Sequence, residues 1–151
     1  MENKSTMNPD KIKHLEFIQG VITRMGANSF QMKGWAVTIY AALLALYAGS
    51  SGCSRNTFLF VAAISTLIFW LLDTYYLQQE RKFRGIYNDV AGLTGQDQQI
   101  EVRLFEMPIQ KYNCKKDKKY SYWNVFISMT IWLLYVPMIV AAVIGGIFLG
   151  R

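Results

Sequence analysis

The chain has 151 residues and a mass of 17.3 kDa, which is about one domain by length. It is 52% hydrophobic, 15% aromatic and only 17% charged, whereas ordinary soluble domains carry roughly 25% charged residues. A small soluble fold has too little interior to bury that much apolar surface. Composition therefore disfavours a soluble enzyme, a disordered tail and a collagen-like chain. The net charge of +6 is compatible with a partner that is either a membrane or a nucleic acid.

The first 33 residues are predicted to form a cytoplasmic amphipathic helix. Asn8, Pro9 and Asp10 are typical of a helix start, because they supply a capping side chain, a proline at the first position and an early acid. Apolar residues follow at spacings of three and four: Leu15, Ile18, Val21, Ile22 and Met25. Because the polar face is not strongly basic, packing on the rest of a cytoplasmic domain is favoured over lying on the inner leaflet. His14 is interpreted as a helix-surface residue.

Three apolar segments are long enough to cross a bilayer, which requires about 20 helical residues. They are residues 34–52, 57–77 and 122–149, and Asp73 is the one charged residue within them. Pro137 is expected to kink the third helix, since it removes a backbone donor. An aromatic belt is expected near the ends of the segments, formed by Trp35, Trp70, Tyr75, Tyr76, Tyr120, Tyr122 and Trp123.

The distribution of lysine and arginine predicts the orientation. Of the 16 such residues, 14 lie before the first span or between the second and the third. By the positive-inside rule, the N-terminus and residues 78–121 are therefore cytoplasmic. Residues 1–33 lack the apolar core and cleavage site of a signal peptide, so the first span is expected to be retained as an anchor.

Residues 78–121 are predicted to continue the second helix and then form a basic loop. The extension runs to Val90, with Glu80 and Arg84 paired at i,i+4, and glycines 92 and 95 end it. The alternation of residues 100–104 predicts a short strand. The basic run at 111–122 is interpreted as a flank near anionic lipid headgroups, with a nucleic-acid site as the minor alternative and no direct nucleic-acid binding expected.

Asp73 is the most informative single residue, because a carboxylate inside a span is costly unless it is paired or hydrated. No cation lies three or four positions away on its own helix. The partner must come from elsewhere, either Lys33 at the entry of the first span or Arg81. Two interpretations follow: Asp73 belongs to a charged pathway, or it is half of a clasp between helices, which is the favoured one.

Small residues recur every four positions on two of the spans, a pattern that favours close helix association in lipid. These faces either pack the monomer or form seams between subunits. They consist of Ala41, Ala45 and Gly49 on the first span and Ala142, Gly146 and Gly150 on the third.

No enzyme motif is present in the sequence. His14 is the single histidine, and there is no HExxH, CxxC, GxSxG or phosphate-binding GxxxxGK pattern. We therefore expect a protein that is not an enzyme, with no catalytic residues, no cofactor and no metal ion.

Three segments carry a resemblance to a known family. NSFQMKGWAVT (28–38), FWLLDTYYLQQERKFRGIYNDV (69–90) and SMTIWLLY (128–135) resemble the signatures of small, octameric, RipA-like proteins of the bacterial inner membrane. That family includes the membrane-pore accessory protein of type VI-B CRISPR systems. The resemblance is weakest over residues 91–119.

The resemblance implies an octameric homo-oligomer in the inner membrane. For the CRISPR-associated members it implies a pore that depolarises the membrane once a partner RNA-guided nuclease is triggered. It also places Lys33, Asp73, Glu80, Arg81 and Arg84 on motif positions, as candidates for lining a pore or clasping helices.

The sequence thus predicts an all-α membrane protein with three transmembrane helices, a small, mainly helical cytoplasmic domain and the N-terminus inside. The expected function is a homo-oligomeric pore that serves as an accessory in antiphage defence. The alternative is a non-conducting oligomeric scaffold that recruits a cytoplasmic partner.

Overall fold

A computed structural model describes residues 8–51, 55–95, 99–114 and 118–148. Every regular element among these residues is helical. The elements are α1 (Pro9–Gly49), α2 (Arg55–Ala91), α3 (Ile109–Cys114), a 3₁₀ turn (Lys118–Tyr120), α4 (Tyr122–Phe126) and α5 (Met129–Phe148). The predicted all-helical class is confirmed.

Helix α1 joins the predicted amphipathic segment and the first apolar segment into one continuous helix of 41 residues. At 1.5 Å per residue it is about 60 Å long, twice the thickness of a bilayer core. The predicted start is confirmed, since Asn8 Oδ1 accepts a hydrogen bond from the backbone N–H of Asp10 at 3.1 Å. The amphipathic half and the apolar half of α1 therefore belong to one helix with no break in the backbone.

Helices α1 and α2 form a long antiparallel hairpin. Tyr40 lies beside Ala62, Lys33 beside Asp73 and Gly26 beside Glu80. Residue numbers therefore decrease along α1 as they increase along α2, as they must in an antiparallel pair. As predicted, α2 continues beyond its apolar half as far as Ala91. It ends there because Gly92 adopts a φ of +77°, a left-handed conformation that suits glycine.

The third apolar segment is divided into two helices rather than one. Helix α4 ends at Phe126, Ile127 forms a turn, and Ser128 begins α5, its carbonyl accepting from the N–H groups of Ile131 and Trp132 at 2.9 Å each. The 20 residues of α5 span about 30 Å, which is enough to cross the bilayer core. Pro137 lies inside α5, and the helix continues past it.

Three apolar clusters follow one another along α2. The first lies at the end of the bundle formed by residues 9–33, 78–95, 99–114 and 118–121, which is called the basic end below. Its buried members are Ile18, Ile22, Phe83, Ile86, Tyr112 and Tyr120. The second cluster joins α1, α2, α4 and α5 through Ala36, Trp70, Val125, Ile131 and Tyr135. The third joins the far ends of α1, α2 and α5 through Tyr40, Ala62 and Ala142.

The amphipathic half of α1 packs on the other elements of the basic end, which confirms the favoured interpretation. Ile18 and Ile22 are buried in the first cluster, and Val21 and Met25 pack against it. Their partners come from α2, α3 and the 3₁₀ turn. The periodicity read from the sequence therefore identifies a face that contacts protein.

The predicted strand at 100–104 is wrong. These residues have no regular secondary structure, and a turn follows at Leu104 and Phe105. The alternation is real, because Ile100 and Val102 pack against the first cluster while Glu101 and Arg103 are exposed. An alternating segment needs a neighbouring strand to form a sheet, and here it lies on helices instead.

Among the residues that the structure describes, three helices are long and apolar enough to cross a membrane: α1, α2 and residues Met129–Ile147 of α5. At most 33% of the residues in their most apolar stretches are buried inside the bundle. Most apolar side chains of these stretches therefore face outward, as expected of helices that contact lipid or other subunits.

Two of the predicted belt residues belong to the core. Trp70 is buried and stacks on Phe126 with ring centroids 4.4 Å apart, and Tyr120 is buried in the first cluster. Trp35, Tyr75 and Trp123 are exposed, and their place in an aromatic belt stays a prediction.

Gly85 is the position where the basic end tolerates no side chain. A Cβ at Gly85 would overlap Tyr120 Oη and lie 2.9 Å from Tyr112 Cε1. We expect Gly85→Ala to lower the free energy of unfolding by about 2 kcal/mol, because overpacking outweighs the gain in helix propensity. Gly20→Ala is the matched control, since an added Cβ meets nothing within 4 Å and should raise stability by about 0.5–1 kcal/mol. Thermal unfolding in a non-ionic detergent, followed by circular dichroism, measures both variants. Equal stability of the two variants would contradict the prediction.

Candidate functional site

A buried polar cluster joins α1 and α2 where their apolar halves begin. Lys33 Nζ lies 2.6 Å from Asp73 Oδ2 and donates to Asp73 Oδ1 at 2.8 Å. Ser29 Oγ donates to Asp73 Oδ1 at 2.5 Å and accepts from Lys33 Nζ at 2.8 Å. Asp73 is fully buried, whereas 21% of the Lys33 side chain is exposed. The carboxylate therefore has a cation and a hydroxyl as partners, as a buried charge requires.

Helix geometry explains why these three residues meet. Ser29 and Lys33 are four positions apart on α1, so both side chains lie on the same face of that helix. Asp73 approaches from the antiparallel α2 at the same level. Sequence reasoning named Lys33 as a partner of Asp73 but did not name Ser29, whose i−4 spacing from Lys33 was the available signal.

The other three predicted site residues lie closer to the basic end and do not join Asp73. Arg81 Nη2 donates to Ser128 Oγ at 2.8 Å and so ties α2 to the start of α5. Glu80 and Arg84 form the predicted i,i+4 pair, with Arg84 Nη2 2.7 Å from Glu80 Oε1. Lys33 and Asp73 thus form a buried clasp. Glu80, Arg81 and Arg84 form a separate group of charged residues nearer the basic end.

The two small-residue faces have different surroundings. Ala41, Ala45 and Gly49 are exposed on α1. Ala142 is buried in the third cluster with Tyr40 and Ala62, so the α5 face contributes to packing within one subunit. Gly146 is partly buried, and together with Leu59 and Phe60 it lines a small cavity between α2 and α5. Gly150 lies outside the described residues.

A second buried carboxylate, Asp89, organises the basic end. Its side chain accepts from Tyr112 Oη and from the backbone N–H of Ile100, the latter at 3.3 Å, and Gln99 Nε2 donates to its backbone carbonyl at 2.8 Å. Burial and the carboxylate together raise the pKa of Tyr112. Asp89 therefore holds α3 and the segment after α2 against the hairpin. Sequence reasoning did not single out Asp89.

His14 is a core residue, not the surface residue that was expected. It is 1% exposed, and its Nε2 lies 3.1 Å from the backbone carbonyl of Glu106. A carbonyl only accepts hydrogen bonds, so Nε2 carries the proton and donates. The segment after α2 folds back over the start of α1 and covers the imidazole, a tertiary contact that periodicity alone does not indicate.

Lys82 is a buried cation that the predictions did not include. It is 3% exposed, and burial lowers the pKa of its ammonium. It forms no hydrogen bond or ion pair within the part of the chain that the structure describes. Burial of this side chain therefore disfavours its charged form in the folded protein.

The chemistry of these groups is that of helix clasps. Within residues 8–51, 55–95, 99–114 and 118–148, His, Cys, Asp and Glu side chains form no group of three that could ligate a metal ion. Comparison of the chain with protein-family models, curated proteins and solved structures finds no match. The site is therefore interpreted from its own geometry.

The Asp73 cluster predicts a strong energetic coupling between α1 and α2. Asp73→Ala should lower the free energy of unfolding by about 3 kcal/mol, since it leaves the Lys33 ammonium partly buried without its counter-ion. The double variant Asp73→Ala/Lys33→Ala should cost less than the sum of the single variants. Detergent unfolding of the four proteins of this cycle measures the coupling.

The pair Glu80 and Arg84 supplies the matched control for that cycle. Arg84 is largely exposed, so the same double-mutant cycle there should give a coupling of about 0.5 kcal/mol or less. Equal couplings in the two cycles would show that the Asp73 cluster is no more than a surface pair.

Lys82 predicts a specific dependence of stability on pH. Its pKa in the folded protein is below the ordinary value of 10.5, so between the two values the unfolded chain binds more protons and stability rises with pH. Lys82→Met should remove this contribution and raise the free energy of unfolding at pH 7 by about 1 kcal/mol. The measurement is the difference in unfolding free energy between variant and wild type at several pH values from 7 to about 10. The exposed Lys13→Met serves as control, and a difference that stays constant with pH for both variants would contradict this role of Lys82.

Proposed function

We propose that the chain is the subunit of a homo-oligomeric, multi-pass protein of the bacterial inner membrane, with its N-terminus in the cytoplasm. The observation that carries this proposal is the outward apolar surface of three membrane-length helices around a paired, buried charge. Lipid accommodates such a surface, and it requires that an ionisable residue inside be paired. The basic residues at one end supply the orientation.

Several copies of this chain form an ion-conducting pore in this proposal. The pore follows from the resemblance to the RipA-like family, in which octamers and a CRISPR-associated pore occur. A cyclic assembly would enclose a central conduit between subunits. On this proposal the pore opens when a partner RNA-guided nuclease is triggered and depolarises the membrane as part of antiphage defence.

The geometry favours the clasp over the conduit for Asp73. Its carboxylate is fully buried, and it lies against the Lys33 ammonium and the Ser29 hydroxyl inside the bundle rather than on an outward face. Its proposed role is to hold α1 against α2 so that the outward faces of both helices keep a fixed shape for assembly.

A scaffold that recruits a cytoplasmic partner is the second candidate, and one observation favours it. Phe17 is 59% exposed on α1 next to the exposed Phe105, with ring centroids 6.2 Å apart. Exposed aromatic pairs outside the apolar stretches are typical of protein contacts. In this alternative the oligomer binds the nuclease without conducting ions.

Membrane potential separates the two candidates. We expect cells that express the chain together with a triggered type VI-B nuclease to lose the signal of a voltage-sensitive dye, and cells with an inactive nuclease to keep it. A chain that assembles in the membrane but leaves the potential unchanged beside its triggered partner would contradict the pore and favour the scaffold.

The exposed face of α1 gives a matched test of assembly. Ala45→Leu should reduce the oligomer measured by cross-linking, because a bulky residue prevents close helix approach on that face. Ala141→Leu makes the same change at an exposed alanine of α5 and should leave assembly intact.

Asp73→Ala distinguishes the two interpretations of Asp73. Loss of assembly supports the clasp, whereas intact assemblies with altered conductance support the conduit.

A further inference from the structure

The segment from Tyr120 to Ser128 begins and ends beside the part of α2 that follows its apolar half. Gln78 Nε2 donates to the carbonyl of Tyr120 at 2.8 Å, and Arg81 Nη2 donates to Ser128 Oγ at 2.8 Å. Gln78 and Arg81 both come after Leu77, the last residue of the second apolar segment. Both ends of the segment are therefore held at the basic end of the bundle.

Helix α4, which lies between these two ends, contacts the apolar half of α2 instead. Tyr122 Oη donates to the carbonyl of Leu71 at 3.2 Å, and the Phe126 ring stacks on Trp70 with centroids 4.4 Å apart. Leu71 lies six residues, a helical rise of about 9 Å, before the end of that apolar half. The chain therefore dips along the hairpin in α4 and returns before α5 begins.

Trp70 supports this path, because its indole contacts a ring from each of the two helices. The indole centroid lies 4.4 Å from that of Phe126 in α4 and 6.0 Å from that of Tyr135 in α5. A single continuous helix would separate Phe126 from Tyr135 by nine residues, or about 14 Å along its axis. The turn at Ile127 shortens that separation and brings both rings to one indole.

The break between α4 and α5 also leaves backbone groups that the protein itself satisfies. Trp70 Nε1 donates to the carbonyl of Phe126 at 3.2 Å, and the N–H of Ser128 donates to the carbonyl of Val125 at 2.9 Å. Irregular backbone at the depth of the hydrocarbon core occurs where its polar groups are satisfied within the protein. In water such partners are not needed, since water itself satisfies an exposed carbonyl. These contacts favour lipid over water around α4.

The outward side of this segment carries large apolar side chains. Trp123 is 69% exposed, Ile127 67% and Met129 78%. The exposed Trp132 and Leu133, three and four positions after Met129, continue this surface along α5. Close packing between helices in lipid favours small residues, and the exposed stripe of small residues lies on α1. The large residues around α4 therefore favour lipid over a second copy of the chain.

We propose that residues 121–128 form a re-entrant elbow embedded in lipid, with Trp123 and Ile127 near the headgroup end of the acyl chains, in the leaflet at the basic end. Tryptophan suits this depth, because its ring is apolar and its N–H is polar. The elbow rests on the proposed membrane insertion and adds to it. The third apolar segment then has two parts, an elbow that enters and leaves one leaflet and a span, α5, that crosses the bilayer.

The test is quenching of tryptophan fluorescence by brominated lipid in the full chain, reconstituted in phosphatidylcholine vesicles. The chain has four tryptophans, of which Trp70 is buried and stacked, so Trp70 stays in every variant and supplies the background. Trp35→Phe/Trp132→Phe reports Trp123, Trp35→Phe/Trp123→Phe reports Trp132, and the triple variant reports Trp70 alone. The three replaced residues are exposed, so the fold is retained.

We expect phosphatidylcholine that is brominated near the headgroup end of its acyl chains to reduce the signals of Trp123 and Trp132 by similar fractions. The reason is that α4 lies beside the same part of the hairpin as the first turns of α5, since Val125 and Ile131 share one buried cluster. Acrylamide added to the water should quench Trp123 less than the brominated lipid does. Trp70 should keep its fluorescence with both quenchers.

Quenching of Trp123 by acrylamide but not by brominated lipid would overturn the proposal, because α4 would then face water. Quenching of Trp132 alone by brominated lipid, with Trp123 insensitive to both quenchers, would also overturn it, because protein such as a second copy of the chain would then cover α4. Resistance of the vesicle-bound chain to alkaline extraction reports insertion separately. A chain that is extracted, with neither tryptophan quenched by brominated lipid, contradicts the membrane proposal itself rather than the elbow alone.

Discussion

The pairing of Lys33 with Asp73 is the interaction on which the arrangement of the bundle depends. Apolar burial is not directional, so it fixes the level of one long helix against another less specifically than a charged pair does. A carboxylate inside the hairpin fixes this level, since a shift of one turn would leave it without a partner. Ser29 adds a second fixed contact to the same oxygen. The clasp therefore sets the level at which α1 meets α2.

The positions of the other clusters follow from that level. Towards the basic end, Ile18 and Ile22 meet Phe83 and Ile86. Towards the far end, Tyr40 meets Ala62 and donates from its hydroxyl to the carbonyl of Met138 at 2.8 Å. Helix α5 therefore contacts both helices of the hairpin. In addition, Arg81 of α2 donates a hydrogen bond to Ser128, the residue immediately before α5.

The parts of the fold that the sequence predicted are those governed by local pattern. The cap at Asn8, the end of α2 at Gly92 and the pair Glu80–Arg84 each depend on residues within a few positions of one another. The clasp was predictable too, because a lone carboxylate in an apolar helix demands a partner and few cations were near enough. The contact of Ser29 with Asp73 was not predicted, because a serine in a helix can have many roles.

The predictions that were wrong concern residues whose surroundings come from distant parts of the chain. Ile100 and Val102 alternate as a strand would, but the alternation reflects packing on helices. His14 is buried because the carbonyl of Glu106, 92 positions away, is brought to its ring. No window along the sequence contains both groups, so periodicity could not indicate the contact.

The same contacts restrict how a pore could be built from this chain. Asp73 is occupied, and the hydroxyls of Thr38, Thr66 and Thr74 donate to carbonyls of their own helices. These four polar side chains are thus directed inward or back along the backbone. The exposed small-residue face of α1 would leave a conduit narrow and largely apolar, a lining that gates by excluding water. Opening would then require the α1 faces of neighbouring subunits to separate, and the clasp is the contact that would carry such a movement from α1 to α2.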